Sequence, residues 1–296
     1  MADKLKNRII INDIIILIYS AVQLLLVIIF GNLLKSYLLV FYAGTAFMTC
    51  IMIIFPRPEK PSLVHFIKTV YPLPLIYLYY RIVGFQTQIS NFNYHDVFIL
   101  GIEKKLLGVY PAFALQRIME VWLNELSYFL YCLGIILPIW AIIKLYNENN
   151  LKYFENFILA IEIGCLSCLA IATVYPVAGP AEALIDYFYL NIYGSWFSIV
   201  IPFFIQFISP SLSSFPAVYF CLIVISSYYL WDFGKAYIAI SFALLTGVFW
   251  GGIYLRYHYL ADGIVGLIIA FMATSIAGII YYTKHGEYNP SKDMSE

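Results

Sequence analysis

The sequence predicts an all-α membrane protein, a polytopic bundle of transmembrane helices. Of the 296 residues, 62% are hydrophobic and only 11% are charged, whereas a soluble domain is about 45–50% apolar and about 25% charged. Its apolar runs reach the roughly 20 residues that a helix needs to cross the hydrocarbon core. They exceed the about 9–11 residues of a β-barrel strand and lack its alternation, so helices are expected.

Composition also limits the partners and cofactors. Aromatic residues make up 19% of the chain, which is typical of a protein with many membrane–water boundaries. The formal net charge is zero and no basic run exceeds two residues, so no nucleic-acid partner is expected. The five cysteines lie in apolar runs. Cys165 and Cys168 have redox or metal spacing but no second pair, and packing is the simpler interpretation. We expect neither a metal nor a cofactor.

Eight candidate spans follow one another along the chain. They cover residues 14–31, 36–55, 64–84, 121–146, 154–175, 214–231, 235–255 and 259–282. The first span follows Lys4, Lys6 and Arg8, and no small-residue cleavage site comes after it. It is therefore expected to remain as an anchor rather than to be removed as a signal peptide. Residues 285–296 are a short polar tail.

Two segments between the spans differ from simple crossings. Residues 92–119 mix apolar positions near helical spacing with charged ones, which predicts an amphipathic helix lying at the membrane interface. Residues 176–213 contain a short apolar run interrupted by Pro202, which favours an interfacial or re-entrant piece. With the N-terminus inside, 11 of the 17 basic residues lie on the inner side and six on the outer side. This bias predicts that both termini are cytoplasmic.

The densest polar group lies between the last two spans, in GGIYLRYHYLADGIVG, residues 251–266. His258 and Asp262 are four residues apart, so on a helix they share a face and the carboxylate can orient the imidazole. An imidazole oriented in this way is suited to act as a nucleophile or base. Arg256 shares this site only if the helix starts late. The alternative is a belt of aromatic residues at the headgroups, with Arg256 snorkelling.

Two further junctions fall on the same outer side. In SLSSFPAVYF, residues 211–220, Ser213 or Ser214 is expected to cap the following helix, with Pro216 in its first turn. The second junction is the rigid turn Tyr175–Pro180, which contains Gly179. Together the three junctions predict a pocket for a phosphate headgroup whose acyl tails stay in the bilayer.

These segments resemble motifs of the type 2 phosphatidic acid phosphatase superfamily, most closely its inositolphosphorylceramide-synthase-like branch. YLRYHYLADGIVG resembles the closing motif, SSFPAVYF the middle motif, YPVAGP the earlier proline turn, and NYHDVFILGIEKKLLGVYP the branch's amphipathic segment. The resemblance covers about residues 64–282. It implies a six-helix core within residues 64–284, preceded by a two-span extension in 1–63 and followed by the tail 285–296.

The resemblance also implies roles for individual residues: His258 attacks phosphorus to form a phosphohistidine, and Asp262 orients it. Arg256, Ser214 and Gly179, which lie at the three junctions, are the candidate substrate-binding residues. The middle motif's histidine, the family's proton donor, is replaced here by Tyr219. Three other expected polar positions are apolar or acidic: Ala217 replaces a serine, Gly252 an arginine, and Ala181–Ala183 the basic residue after the proline turn.

Three functions follow. One is a lipid-phosphate phosphatase or headgroup transferase with a modified site, acting on membrane lipids without a metal. Another is a non-catalytic relative that binds lipid or a protein partner, because tyrosine holds its proton tightly at neutral pH. The third is a transporter, suggested by Glu162 in the middle of a span, although paired broken helices are lacking. His95–Asp96 is expected at the interface, and Glu120 and Glu125 at headgroups or a helix cap.

Overall fold

The computed structural model describes residues 10–30, 35–55, 58, 60–89, 93–148, 150–208 and 213–285. Within these ranges the chain is all-α, as predicted, and contains no strand. Lys4, Lys6, Arg8 and the tail after His285 lie outside the described residues. The helices of eight residues or more are α1 Ile11–Phe30, α2 Lys35–Ile54, α3 Leu63–Val70, α4 Pro72–Ile89, α5 Asp96–Leu107, α6 Val121–Leu133, α7 Ile136–Asn147, α8 Leu151–Val174, α9 Phe197–Ile208, α10 Val218–Trp231, α11 Lys235–Tyr254 and α12 Leu260–His285.

Six helical stretches in the described ranges are long and apolar enough to cross a membrane. They are Ile11–Phe30, Ser36–Ile54, Val121–Asn147, Leu151–Val174, Lys235–Tyr254 and Leu260–Tyr281. Many large apolar side chains on these helices are exposed, such as Val40 at 74% and Phe47 at 66%. Such surfaces suit lipid rather than water. The chain is thus a multi-pass membrane protein.

The other two predicted spans have a different form, and proline explains the first. Residues 64–84 fall in α3 and α4, which meet at Tyr71 and Pro72. Pro72 and Pro74 have no N–H to donate within a continuous helix. A similar interruption lies between α6 and α7, where Pro138 has no N–H for the carbonyl of Gly134. Gly134 and Ile135 nevertheless keep right-handed helical angles, so the two helices form one stretch.

The second of these spans is shorter than predicted. Helix α10 begins at Val218, and Ala217 occupies its N-cap position. The predicted cap at Ser213 or Ser214 and the placement of Pro216 in the first turn are therefore wrong. The reason is that Ser214 N–H donates to the Val177 carbonyl at 2.8 Å, which holds this segment against a neighbouring loop. The 14 residues of α10 span about 21 Å.

Helix α8 is the centre of the bundle. It packs against α1, α4, α7, α10 and α12, and 72% of its most apolar stretch is buried. Small residues permit the close packing: a Cβ atom at Gly164 would lie 2.7 Å from Ile225 Cδ1 and 3.3 Å from Ala273 Cβ. Close approach at small residues is typical of helix packing in membranes. The central position of α8 brings it into contact with α1 of the N-terminal pair and with α10 and α12.

The segment predicted to lie at the interface contains, within residues 93–119, a helix, α5, but its two faces carry unexpected residues. Val97 and Leu106 are 82% and 77% exposed, whereas Asp96 and Glu103 are 7% and 3% exposed. The acidic residues point into the protein because they accept hydrogen bonds there. The short helix α9, which contains Pro202, packs against α6.

Candidate functional site

The three junctions predicted from the sequence meet at one end of the bundle. The 175–180 turn, the 213–217 segment and the 255–262 loop are joined by backbone hydrogen bonds. Ser214 N–H donates to the Val177 carbonyl, Ala181 N–H to the Arg256 carbonyl at 2.9 Å, and Ala217 N–H to the Asp262 carbonyl at 3.1 Å. These bonds satisfy backbone groups that have no partner within a helix. They also fix the loop that carries His258.

His258 is held in one orientation by a backbone carbonyl and a carboxylate. Its Nδ1 lies 3.0 Å from the Ser214 carbonyl oxygen and 3.6 Å from Asp262 Oδ2. A carbonyl only accepts, so Nδ1 carries the hydrogen and donates it. Nε2 on the other side of the ring then has a free lone pair. The imidazole is thus in the tautomer that a nucleophile or general base requires.

Asp262 is fully buried in the first turn of α12. Its Oδ2 accepts a hydrogen bond from the Tyr259 N–H at 2.9 Å, and its Oδ1 has no partner among the described residues. A carboxylate in the first turn is stabilised by the helix dipole. Because α12 begins at Leu260, His258 precedes the helix. The two residues therefore meet through a turn rather than on one helical face.

Asp96 supports this turn, and the sequence interpretation missed it. Its Oδ1 accepts from Gly179 N–H and from the Tyr259 hydroxyl, each at 2.9 Å, and its Oδ2 accepts from Ala178 N–H at 3.0 Å. One carboxylate therefore connects α5, the proline turn and the residue next to His258. The buried Tyr259 hydroxyl donates to this carboxylate. Burial and the Asp96 carboxylate raise the pKa of Tyr259 above its ordinary value.

Glu103 has a similar role about two helical turns further along the same face of α5. Its Oε1 accepts from Ala261 N–H at 3.3 Å, so α5 supplies a side-chain cap to α12. Burial raises the pKa of this carboxyl above its ordinary value, while the backbone N–H groups of Ala261 and Leu260 oppose the shift. A carboxylate at a helix start stabilises the unpaired N–H groups there. Glu103 thus helps to fix where α12 begins.

Gly179 and Ser214 lie behind the imidazole. Gly179 has φ +100°, which L side chains rarely adopt, and a Cβ atom there would lie 2.9 Å from Ser214 Cβ and 3.1 Å from the Tyr257 carbonyl oxygen. Both the backbone angle and the close packing require glycine. Ser214 Oγ is buried without a hydrogen-bond partner among the described residues. Gly179 and Ser214 therefore support the loop that carries His258.

Arg256 is directed away from His258. Its Nη2 donates to the Leu190 carbonyl at 2.6 Å and lies 3.3 Å from Met119 Sδ, and its guanidinium stacks on the Phe188 ring at 3.8 Å. The backbone is left-handed, with φ +67°. Burial lowers the pKa of the guanidinium below its ordinary value. The Arg256 guanidinium thus holds the 188–190 segment through Nη2 and its stacking on Phe188.

A narrow cleft lies next to His258. Its cavity volume is about 10 Å³, which is room for about one water molecule, and the residues that line it are Tyr131, Ala217, Tyr219, Phe220, Val248, Phe249, Gly252, Ile253, His258, Tyr259 and Gly263. None of these described lining residues is a lysine or an arginine. The Tyr219 hydroxyl donates to the Tyr131 carbonyl at 3.0 Å. Of the six predicted site residues, His258 and Tyr219 line the cavity.

A much larger apolar cavity of about 340 Å³ adjoins the small one. The two cavities share Tyr131 and Tyr219. Helices α4, α6, α7, α8, α9 and α10 contribute its walls, through apolar side chains such as Ile76, Ile161 and Leu222. Phe204 and Ile139 in its wall are exposed at 55% and 52%, so the cavity opens toward the surface that faces lipid. An apolar chain is the natural occupant of such a space.

Within the described ranges, no group of three or more His, Cys, Asp or Glu side chains is arranged to hold a metal ion. Comparison of the chain with protein-family models, curated proteins and solved structures finds no match. The function proposed next is therefore supported by the site geometry and by the motif resemblance alone.

Proposed function

We propose that this membrane protein is a lipid-phosphate phosphatase or a phospholipid headgroup transferase of the inositolphosphate type, with His258 as the nucleophile. The observation that carries the proposal is the fixed imidazole: Nδ1 is bound to the Ser214 carbonyl oxygen and faces Asp262. Nε2 therefore has a lone pair ready to attack phosphorus. The resemblance of residues 251–266 to the superfamily's closing motif supports the same role.

The chemistry takes two displacements at phosphorus. Nε2 of His258 forms a bond to phosphorus while the bond from phosphorus to the leaving oxygen breaks, giving a phosphohistidine, and the leaving oxygen takes a proton from water. Asp262 stabilises the positive imidazolium that forms. Water or an alcohol, such as an inositol or sugar hydroxyl, then attacks the same phosphorus, its proton is released, and the P–N bond breaks. Transfer and hydrolysis differ only in this acceptor.

The large apolar cavity supports a lipid as the substrate. Its lining shares Tyr131 and Tyr219 with the cleft beside His258, and these two rings contact each other. A shift of the two side chains would let one molecule place a phosphate beside His258 and a hydrocarbon chain among apolar side chains. Burial of a chain gains about 0.8 kcal/mol per CH₂ group. This arrangement suits an amphipathic ligand better than a free phosphate.

We also propose how the chain crosses the membrane. The chain crosses the membrane eight times, with α3–α4 and α10 as the two shorter or broken crossings, and residues 64–284 form the catalytic domain. Both termini are cytoplasmic, which places His258 at the outer or lumenal face. The supporting observation is the excess of basic residues on the side of the N-terminus.

The test measures turnover by the purified full chain in lipid vesicles. Phosphatidate, diphosphate lipids and phosphoinositides are supplied, each with a short-chain soluble analogue. His258→Ala should abolish turnover and phosphorylation of the protein, whereas His95→Ala, at a histidine that stacks on Tyr175, should retain both. Tyr219→His with Ala217→Ser should raise turnover because imidazole is a proton donor near neutral pH. Wild type indistinguishable from His258→Ala on every lipid would refute the enzyme.

A second function is favoured by two features of the cavity. The Tyr219 hydroxyl already donates to the Tyr131 carbonyl, and the described lining residues carry no lysine or arginine. A phosphate dianion is usually bound by several charged donors. The alternative is therefore a non-catalytic protein that binds a lipid with its chain in the large cavity. It predicts lipid binding by wild type and by His258→Ala alike, without turnover.

A further inference from the structure

Glu162 lies near the middle of the central helix and is fully buried. It is the twelfth of the 24 residues of α8, and its exposed fraction is 0%. Neither of its carboxyl oxygens has a hydrogen-bond partner among the described residues. An ionised carboxylate that lacks donors in an apolar interior is very unfavourable. The catalytic site gives no reason for this residue, because the junctions around His258 lie at the end of α8.

The polar neighbours of Glu162 lie on the N-terminal helix. Asn12 lies beside it, and Asp13 is close enough to repel a negative charge. Both are buried, at 8% and 0% exposed, and the Asn12 amide nitrogen also lacks a hydrogen-bond partner in the described part of the chain. Two carboxyl groups and one amide thus meet where α1 packs against α8.

The two carboxyl groups have different surroundings. Asp13 Oδ1 accepts from the Tyr71 hydroxyl at 2.5 Å, and its Oδ2 accepts from the Ile10 N–H at 3.0 Å. Asp13 is therefore satisfied as a carboxylate, since hydrogen bonds from neutral donors stabilise the charged form. Among the described residues, Glu162 has the neutral Asn12 amide beside it but no hydrogen bond to either carboxyl oxygen, and a second negative charge beside Asp13 would be repelled. The pair therefore carries one proton, and Glu162 is the carboxyl group that binds it.

We propose that Glu162 is a proton-binding site inside the membrane, separate from the His258 site, where one proton allows α1 to pack against α8. The ligand is a proton rather than a metal ion. A metal ion would need several oxygen ligands, but both Asp13 oxygens already face donors. Loss of the proton would leave two adjacent carboxylates in an apolar interface. The proton therefore stabilises the attachment of the N-terminal pair.

Other titratable groups around α8 occupy different faces or levels. On the α4 side, Tyr71 and Tyr79 face Glu162. Toward the start of α8, Glu155 pairs with His65 on α3 at 3.1 Å, and Lys68 on α3 donates to the Phe55 carbonyl. On α7, Lys144 pairs with Glu148. The side facing α10 and α12 carries the thiols Cys165, Cys168 and Cys221.

Infrared difference spectroscopy on the purified full chain tests the site directly. A protonated carboxylic acid has a carbonyl stretch that an ionised one lacks and that shifts in D₂O. At neutral pH this band should be present in wild type, absent in Glu162→Gln, and retained in Asp13→Asn and in Glu148→Gln, whose carboxyl is on the surface. A spectrum of Glu162→Gln identical to that of wild type, or loss of the band only in Asp13→Asn, would overturn the proposal.

Thermal melting gives an independent readout, because glutamine has the shape of a protonated glutamate. Glu162→Gln should therefore fold and melt near the wild-type temperature at neutral pH. As the pH rises, wild type should lose its proton and melt at falling temperatures, and Glu162→Gln should lose less. Equal pH profiles would refute the proton site. Stabilisation of wild type by Na⁺ but not K⁺, lost in Glu162→Gln, would instead identify a sodium site.

Discussion

Buried carboxylates fix the backbone around His258. Asp96 accepts three hydrogen bonds from the proline turn and from Tyr259, and Asp262 accepts one from the Tyr259 N–H. Since hydrogen bonds to a charged acceptor contribute about 1.5–3 kcal/mol each, these contacts can hold a loop that contains the left-handed residue Arg256. The orientation of the imidazole thus depends on an acid in a distant helix.

Asp96→Asn should destabilise the junctions while leaving most of the fold intact. One amide oxygen replaces two carboxylate oxygens, and the amide NH₂ then faces an N–H donor. We expect a loss of about 1–3 kcal/mol, seen as a lower melting temperature in detergent. Asp186→Asn, at an exposed residue of the same outer region, is the matched control and should melt like wild type. A melting temperature for Asp96→Asn equal to that of the control would contradict this role.

Among the helices, α9 has its start capped by a single side chain. Glu125 on α6 accepts hydrogen bonds from the N–H groups of Ser195, Trp196, Phe197 and Ser198 and from the Ser198 hydroxyl. The carboxylate therefore caps the start of α9, which agrees with the expectation that Glu125 caps a helix. Helix α9 also supplies Ile201, Phe204 and Ile205 to the wall of the large cavity. Its position controls access to that space.

Glu125→Gln should loosen α9 from α6. A neutral amide oxygen accepts fewer and weaker hydrogen bonds, and loss of about 1.5–3 kcal/mol raises the detached population roughly tenfold or more. The measurement is the maleimide labelling rate of Ile201→Cys, a position 6% exposed, in a background without native cysteines. The control is Glu120→Gln, at an exposed acid that directly precedes α6. Equal rates in the two backgrounds would count against the cap.

Composition and spacing predicted the helices better than their ends. Long apolar runs predicted six of the membrane stretches, because a span depends on local composition. Residues 64–84 and 214–231 were less accurate, since Pro72 breaks one helix and contacts of Ser214 with Val177 delay the other. His258 and Asp262 were found because they are close in sequence. Asp96 was not, because its partners are more than 80 residues away.

Across the whole molecule, buried polar contacts join the N-terminal pair to the rest of the bundle. Ser20 Oγ lies 2.8 Å from the Tyr79 hydroxyl and 3.3 Å from Thr45 Oγ1, and Gln86 Nε2 donates to Gln23 Oε1 at 2.7 Å. These bonds link α1 and α2 to α4. In a bilayer such contacts contribute about 0.6 kcal/mol each on average. Their number, rather than any single bond, determines how the pair is placed.

The distribution of basic residues predicts an orientation of the molecule that has a direct test. Glu148 and Asp186 flank opposite ends of α8, whose 24 residues span about 36 Å, so we expect the two residues on opposite sides of the membrane. Both are exposed, and the 11-to-six distribution of basic residues predicts Glu148 on the inside. In a background without native cysteines, a membrane-impermeant maleimide should label Asp186→Cys in intact cells and Glu148→Cys only after permeabilisation. The reverse pattern would place His258 in the cytoplasm and require a cytoplasmic source of its substrate.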